Sequence, residues 1–345
     1  MFIFSQSLCH SDTFSKCKNT QKKRTDKIKM IRARYIITFF SHTKMKIRQI
    51  IYTLCLLTAF SSCTNDEDFV PPAFLHVDSI KVVPPTSNPI SVDPGFYTSD
   101  IVACFVVAHY PGTTTLDTLG LFQLPFTVPV LHSGTVEYLE FYPAVKQSGI
   151  SGTLIYYTFY RPIRIDNQTL TVGDTLRLDT LSTTYAISLS DMQVFEPFEP
   201  TELSTIFDSV TWHKYAPSEA CTGQGYASVH VPDSISNVPF SINADFYVSD
   251  PNRAVYLELD SRSDIRFEVY MESAYTSGGA TDKQRVMVVN PSSHWQHMYI
   301  NLGRTWSWFN HNPSFRLSFA ALNPYNEEGD VRIDNVKLIT TATVL

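Results

Sequence analysis

Beyond residue 70 the chain alternates apolar and polar positions with a period of two, in short runs rich in Val, Ile, Thr, Tyr and Phe separated by Pro, Gly, Asn and Asp. That is the pattern of β-strands with one buried face. It predicts strands over 74–83, 101–108, 116–124, 136–142, 154–161 and 183–189, and no 3.6-residue apolar period competes after residue 63. The alternation breaks at 191–205, where Phe195-Glu196-Pro197-Phe198-Glu199-Pro200 sets two prolines and two acids in a row without periodicity. Prolines there favour an extended linker. The expectation is all-β: a β-sandwich of immunoglobulin-like or transthyretin-like size at 74–192, a linker at 193–204, and a second, jelly-roll-like β-sandwich at 205–345. In the second, residues 295–302, 315–321 and 331–339 alternate as two packed sheets require.

Ahead of the strands stands an apolar run, residues 50–59. It is too short to span a bilayer, which takes about 20 residues. Lys46 and Arg48 precede it, and Ser61-Ser62-Cys63 follows it. This order reads as a lipoprotein signal peptide at 45–62, with Cys63 as the lipidated residue. Met45 is then the expected start, with Met30 as the alternative. Residues 1–44, which hold ten Lys and Arg against two Asp, read as an extension from a mis-assigned start codon. The segment Ser61 to Asp68, with its acidic run after the cysteine, resembles the lipoproteins of Bacteroidota-type bacteria. The resemblance implies an outer-membrane, lipid-anchored protein displayed on the cell surface, with 63–73 as a tether.

Charge sharpens the picture once the leader is set aside. The chain has 27 Lys+Arg and 33 Asp+Glu, of which residues 1–62 take 12 and 2, leaving 15 and 31, a net charge of about −16 for the remainder. Such a body offers no basic stripe to a phosphate backbone, which excludes nucleic acid as a partner. Besides Cys63, two cysteines remain in that part, Cys104 and Cys221. Cys104 lies in an apolar strand pattern and reads as a small buried hydrophobe; a bridge to Cys221 is the alternative.

Enzymatic motifs are absent or misplaced, so the expectation is a non-enzyme. Gly149-Ile150-Ser151-Gly152 lacks the spacing of a nucleophile elbow. His294 and His297 would point to opposite faces of a strand, which argues against a shared metal. No cofactor is expected beyond a structural calcium, for which Asp334 is the weak candidate, against its role as a strand-end turn carboxylate.

The first domain, with Leu119-Gly120-Leu121-Phe122-Gln123-Leu124-Pro125-Phe126-Thr127-Val128-Pro129-Val130-Leu131 and Tyr157-Thr158-Phe159-Tyr160, is similar to uncharacterised lipoproteins of the same bacterial group. Thr158 and Ala144 stand where that pattern has proline and glycine. The closing Ile333-Asp334-Asn335-Val336-Lys337-Leu338 resembles the last strand of jelly-roll or galactose-binding-like carbohydrate-binding modules. On a strand, Trp306 and Trp308 would share a face and form a platform for a sugar ring, with Asn310, His311 and Asn312 orienting it; core filling is the competing reading. Ser79, Thr118, Thr175, Thr180, Ser209 and Ser234 each follow an aspartate and precede an aliphatic residue. That triplet is similar to the O-glycosylation acceptor of Bacteroidota-type bacteria. Two functions stay open: adhesion or protein interaction as the leading one, and glycan binding for polysaccharide capture as the alternative.

Overall fold

The computed structural model describes residues 71–85, 94–114, 116–149, 152–187, 192–200, 207–248, 253–273, 282–309 and 314–340. Cys63, the signal peptide, the extension before it, and Asn310, His311 and Asn312 lie outside the described residues.

Eight strands build a first sandwich: β1 (Ala73–Val82), β2 (Ala103–His109), β3 (Asp117–Gln123), β4 (Phe126–Val130), β5 (Gly134–Lys146), β6 (Leu154–Tyr156), β7 (Ile163–Leu170) and β8 (Thr175–Thr183). One sheet runs β4-β1-β8, with β1 and β8 parallel, and the facing sheet runs β3-β2-β5-β6 with β7 also on β5. Alternation places Leu75 and Val77 of β1 opposite Val106 of β2 and Leu139 and Phe141 of β5, and these share one buried cluster. Where a strand was expected at 183–189, the described residues 184–187 do not continue one. β8 ends at Thr183, and Tyr185 makes only an isolated bridge to Tyr160.

The second sandwich holds β9 (Met192–Glu196), β10 (Phe207–Asp208), β11 (Thr211–His213), β12 (Tyr226–Val231), β13 (Asn237–Ile242), β14 (Phe246–Tyr247), β15 (Val255–Ser263), β16 (Phe267–Ser273), β17 (Lys283–Val289), β18 (Ser292–Asn301), β19 (Ser314–Leu322) and β20 (Gly329–Thr340). One sheet runs β11-β12-β20-β15-β18 with β9 on β20; the other runs β10-β13-β19-β16-β17 with β14 on β19. Leu257, Leu259, Ile300 and Leu338 from the first sheet meet Phe267, Val269, Leu317 and Phe319 from the second. Part of the expected linker is therefore a strand. Met192 and Val194 are buried in alternation, and β9 ends before Pro197, so neither proline interrupts the pairing with β20.

Residues 71–345 form one compact unit. A third buried cluster joins the sandwiches: Val82, Phe96, Val145, Tyr157, Tyr160 and Tyr185 on one side, Tyr256, Tyr299 and Ile339 on the other.

The pair Trp306 and Trp308 is not on a strand. After β18, Asn301 Oδ1 accepts the Gly303 N–H at 2.8 Å and turns the chain into a short helix, α1 (Gly303–Trp308). Residues two apart on a helix point to opposite sides. Trp306 is 1% exposed and sits in the core, while Trp308 is 69% exposed, so the two indoles share no face and the expected platform does not exist.

Candidate functional site

Strand register assembles a charged network on the outer face of the β11-β12-β20-β15-β18 sheet. β15 alternates Leu257 and Leu259 inward with Glu258 and Asp260 outward. Its pairing with β18 sets Asp260 opposite His297 and Glu258 opposite Tyr299, and its pairing with β20 sets Glu258 opposite Lys337 and Asp260 opposite Asp334. Asp334 and Lys337 are three apart and would face opposite sides of a regular strand. The register shifts by one residue between these two pairs, and Asn335 takes a positive φ of 50° there. This bulge turns both side chains onto one face. Asp334 is thus a buried mid-strand carboxylate rather than a strand-end turn residue.

Each charge is matched. Glu258, with no exposure, accepts the hydroxyls of Tyr157 at 2.5 Å and Tyr185 at 2.6 Å, and lies 3.3 Å from Lys337 Nζ. Lys337, equally buried, also donates to the Tyr185 hydroxyl at 3.1 Å and the Thr98 carbonyl at 3.3 Å. Asp260 accepts from His297 Nδ1 at 2.9 Å and Asn335 Nδ2 at 2.8 Å. His297 Nε2 is buried without a hydrogen bond, 3.5 Å from Glu258 Oε2. Burial pushes Glu258 upward, but Lys337 and His297 outweigh it and hold the carboxyl well below its ordinary range. Asp260 is likewise held low, against its burial, by His297. His297 is raised, because Asp260 outweighs the burial that would lower it. Asp334 moves the other way: burial first and the facing Asp260 second push it up to about 8, even though it accepts the N–H groups of Cys221, Thr222 and Asn335. Its oxygens are thereby committed to the backbone. Among the described residues no group of three or more His, Cys, Asp or Glu side chains is arranged to hold a metal ion.

A cavity of about 680 Å³ opens beside this network, where the first sandwich overhangs the sheet. Its floor includes Asp260, His297 and Tyr299, and its walls include Trp295, Tyr97, Lys81, Asp100 and Lys146. Trp295 is half-buried on β18; its Nε1–H donates to the Glu219 carbonyl at 2.9 Å and its ring stands edge-on to Tyr226. The indole is therefore held in one orientation. Cys221 also lines the cavity; burial and Asp260 raise its thiol, so it stays protonated, and neither it nor Cys104 is in a disulfide.

Trp295, His297, Asp260, Glu258 and Lys337 were not singled out for this role by the pattern of the chain. The signal was the coincidence of two strands carrying polar or aromatic residues at i, i+2 and i+4, 295-297-299 on one and 256-258-260 on the other. Of the expected glycan ligands, Trp306 is core and Trp308 lies on α1 away from the residues lining the cavity. Thr118, Thr175, Thr180, Ser209 and Ser234 are exposed, and Ser79 is half-buried with its hydroxyl 3.1 Å from that of Thr180.

No protein-family model matches the chain, and no curated protein matches it. Among solved structures it is similar to TmCBM61 in complex with β-1,4-galactotriose, at 11% identity over 40% of this chain and 90% of that one, with a TM-score of 0.28. It is similar to a family 29 carbohydrate-binding module at 14% identity, over 43% of this chain and 86% of that one, with a TM-score of 0.28. A third, described as showing promiscuous specificity of carbohydrate-binding modules from the β-sandwich superfamily, has 10% identity, covers 69% of this chain and 85% of its own, and gives a TM-score of 0.32.

Proposed function

We propose that this chain is a non-enzymatic, lipid-anchored surface protein that binds a glycan in the cavity beside Trp295. One observation carries the reading: the cavity combines a rigidly held indole with hydrogen-bonding side chains fixed by cross-strand register. Sugar rings stack their C–H faces on aromatic rings, and a few convergent polar groups set their orientation. The non-enzymatic part rests on the same geometry. Glu258 and Asp260 are each tied to a cation and to neutral donors, and Cys221 is a thiol, so none of these three stands as a nucleophile or a free general base. Glycan microarray binding of the full chain tests it. Wild type and Trp308→Ala should bind the same glycans, and Trp295→Ala should lose them; binding that survives Trp295→Ala but not Trp308→Ala would overturn the assignment.

A second reading, protein interaction, is favoured by a separate surface. On the outer face of the β3-β2-β5-β6 sheet, Phe105, Leu116, Tyr142 and Tyr156 line an apolar notch of about 510 Å³, with Leu116 and Tyr156 exposed. Tyr142→Ser/Tyr156→Ser should abolish cell-surface adhesion under this reading and leave glycan binding intact under the first.

A further inference from the structure

We infer that the ligand of this cavity is an anionic glycan, a uronate or sulfated sugar whose negative group sits on Lys81 and Lys146 while its ring lies against Trp295. The inference rests on the glycan reading above and adds the charge of the ligand. Beyond Cys63 the chain has only five lysines, Lys81, Lys146, Lys214, Lys283 and Lys337, in a stretch with net charge of about −16. Three are engaged elsewhere: Lys283 pairs with Glu272, Lys337 with Glu258, and Lys214 lies over the Trp212 ring. The other two come from different strands, β1 and the end of β5, and both reach the wall of this one cavity. Neither forms an ion pair among the described residues.

The acids facing the same space do not cancel them. Asp260 is matched across the strands by His297 at 2.9 Å, and Asp100 alone remains to accept ligand hydroxyls. The stretch around them is net acidic, so two lysines converging on one cavity give a negative group a local partner there. An ammonium and a carboxylate or sulfate form charge-assisted hydrogen bonds, and two ammonium groups beside an aromatic face distinguish a charged sugar from a neutral one.

Affinity electrophoresis and titration calorimetry of the full chain, with polygalacturonate, a sulfated galactan and an uncharged galactan as probes, test the inference. Binding to at least one charged polymer, weakened by salt, is expected. Lys81→Gln and Lys146→Gln should each lose about tenfold, the loss of one charge-assisted hydrogen bond, and Lys81→Arg/Lys146→Arg should retain affinity. The two charged arms separate carboxylate from sulfate. Equal binding of the uncharged galactan, or affinity for the charged polymers unchanged in Lys81→Gln/Lys146→Gln, would overturn the inference; if that uncharged binding still vanished in Trp295→Ala, the glycan reading would stand. Failure of every polymer to bind would overturn both. Unchanged thermal midpoints in the lysine variants, whose side chains lie outside the buried network, exclude unfolding as the cause.

Discussion

Asp334 faces Asp260 across paired strands, and two buried carboxylates cannot both ionise cheaply. Its raised value fixes the sign of a pH effect. A group whose folded pKa lies above its unfolded one contributes stability that is complete below the unfolded value, near 4, and is lost as pH rises through about 8. His297, also raised, acts in the same direction above the ordinary imidazole range. Glu258 and Asp260 are depressed, so their contribution is present above about pH 4 and lost on acidification. Stability should therefore peak in weak acid. Asp334→Asn should remove a decline of up to about 1.4 kcal/mol per pH unit between roughly pH 4 and 8, as read from urea unfolding at pH 5 and pH 8; the same decline in both proteins would refute the assignment.

The bulge of β20 depends on one side chain in the left-handed region. Asn335 holds φ at 50° and also donates to Asp260, and asparagine tolerates this conformation better than any branched residue. Asn335→Val should cost roughly 1–2 kcal/mol in backbone strain beyond the lost side-chain hydrogen bonds to Asp260 and from Thr222, whereas Asn335→Gly should lose little more than those bonds. Thermal midpoints that fall equally for both would show that the backbone conformation is not what matters. Helix α1 gives the complementary case. Trp306 and Trp308 would share a face only on a strand; the Gly303 N–H donates to Asn301 Oδ1 where a short helix begins, and the helical period sends the two rings apart.

Because the third cluster and the Glu258–Lys337 pair lie between the sandwiches, the two should melt as one. Calorimetry of the wild type is expected to show a single transition with equal calorimetric and van't Hoff enthalpies. Lys337→Met takes from the buried Glu258 carboxylate its ammonium partner; breaking a buried pair costs about 3–5 kcal/mol and should lower the midpoint sharply. Two resolved transitions in the wild type would mean that the contact adds nothing to cooperativity. The proposed anchor belongs to a different part of the chain. Acyl chains contribute about 0.8 kcal/mol per buried methylene, so under the proposed lipid anchoring Cys63→Ser should move the protein from the detergent phase to the aqueous phase with its melting unchanged. A serine variant that stayed in the detergent phase would end the lipoprotein reading.

Period-two alternation was enough to read an all-β chain and most of the strands before residue 160, because one face of each is buried and the other wet. It was also enough to place Cys104 in a core strand. The strand Met192–Glu196 escaped notice because prolines just beyond it looked like a break, and pairing partners 140 residues away decide whether a short segment becomes a strand. The candidate site was not legible at all in linear order. Asp260, His297, Asp334 and Lys337 meet only through the register of β15, β18 and β20 and a one-residue bulge, and Lys81 and Lys146 reach the same cavity only because the first sandwich packs over that sheet. Local periodicity records which face of a strand is buried. Which side chains then share that face is set by long-range pairing, a property of the folded chain and not of any window along it.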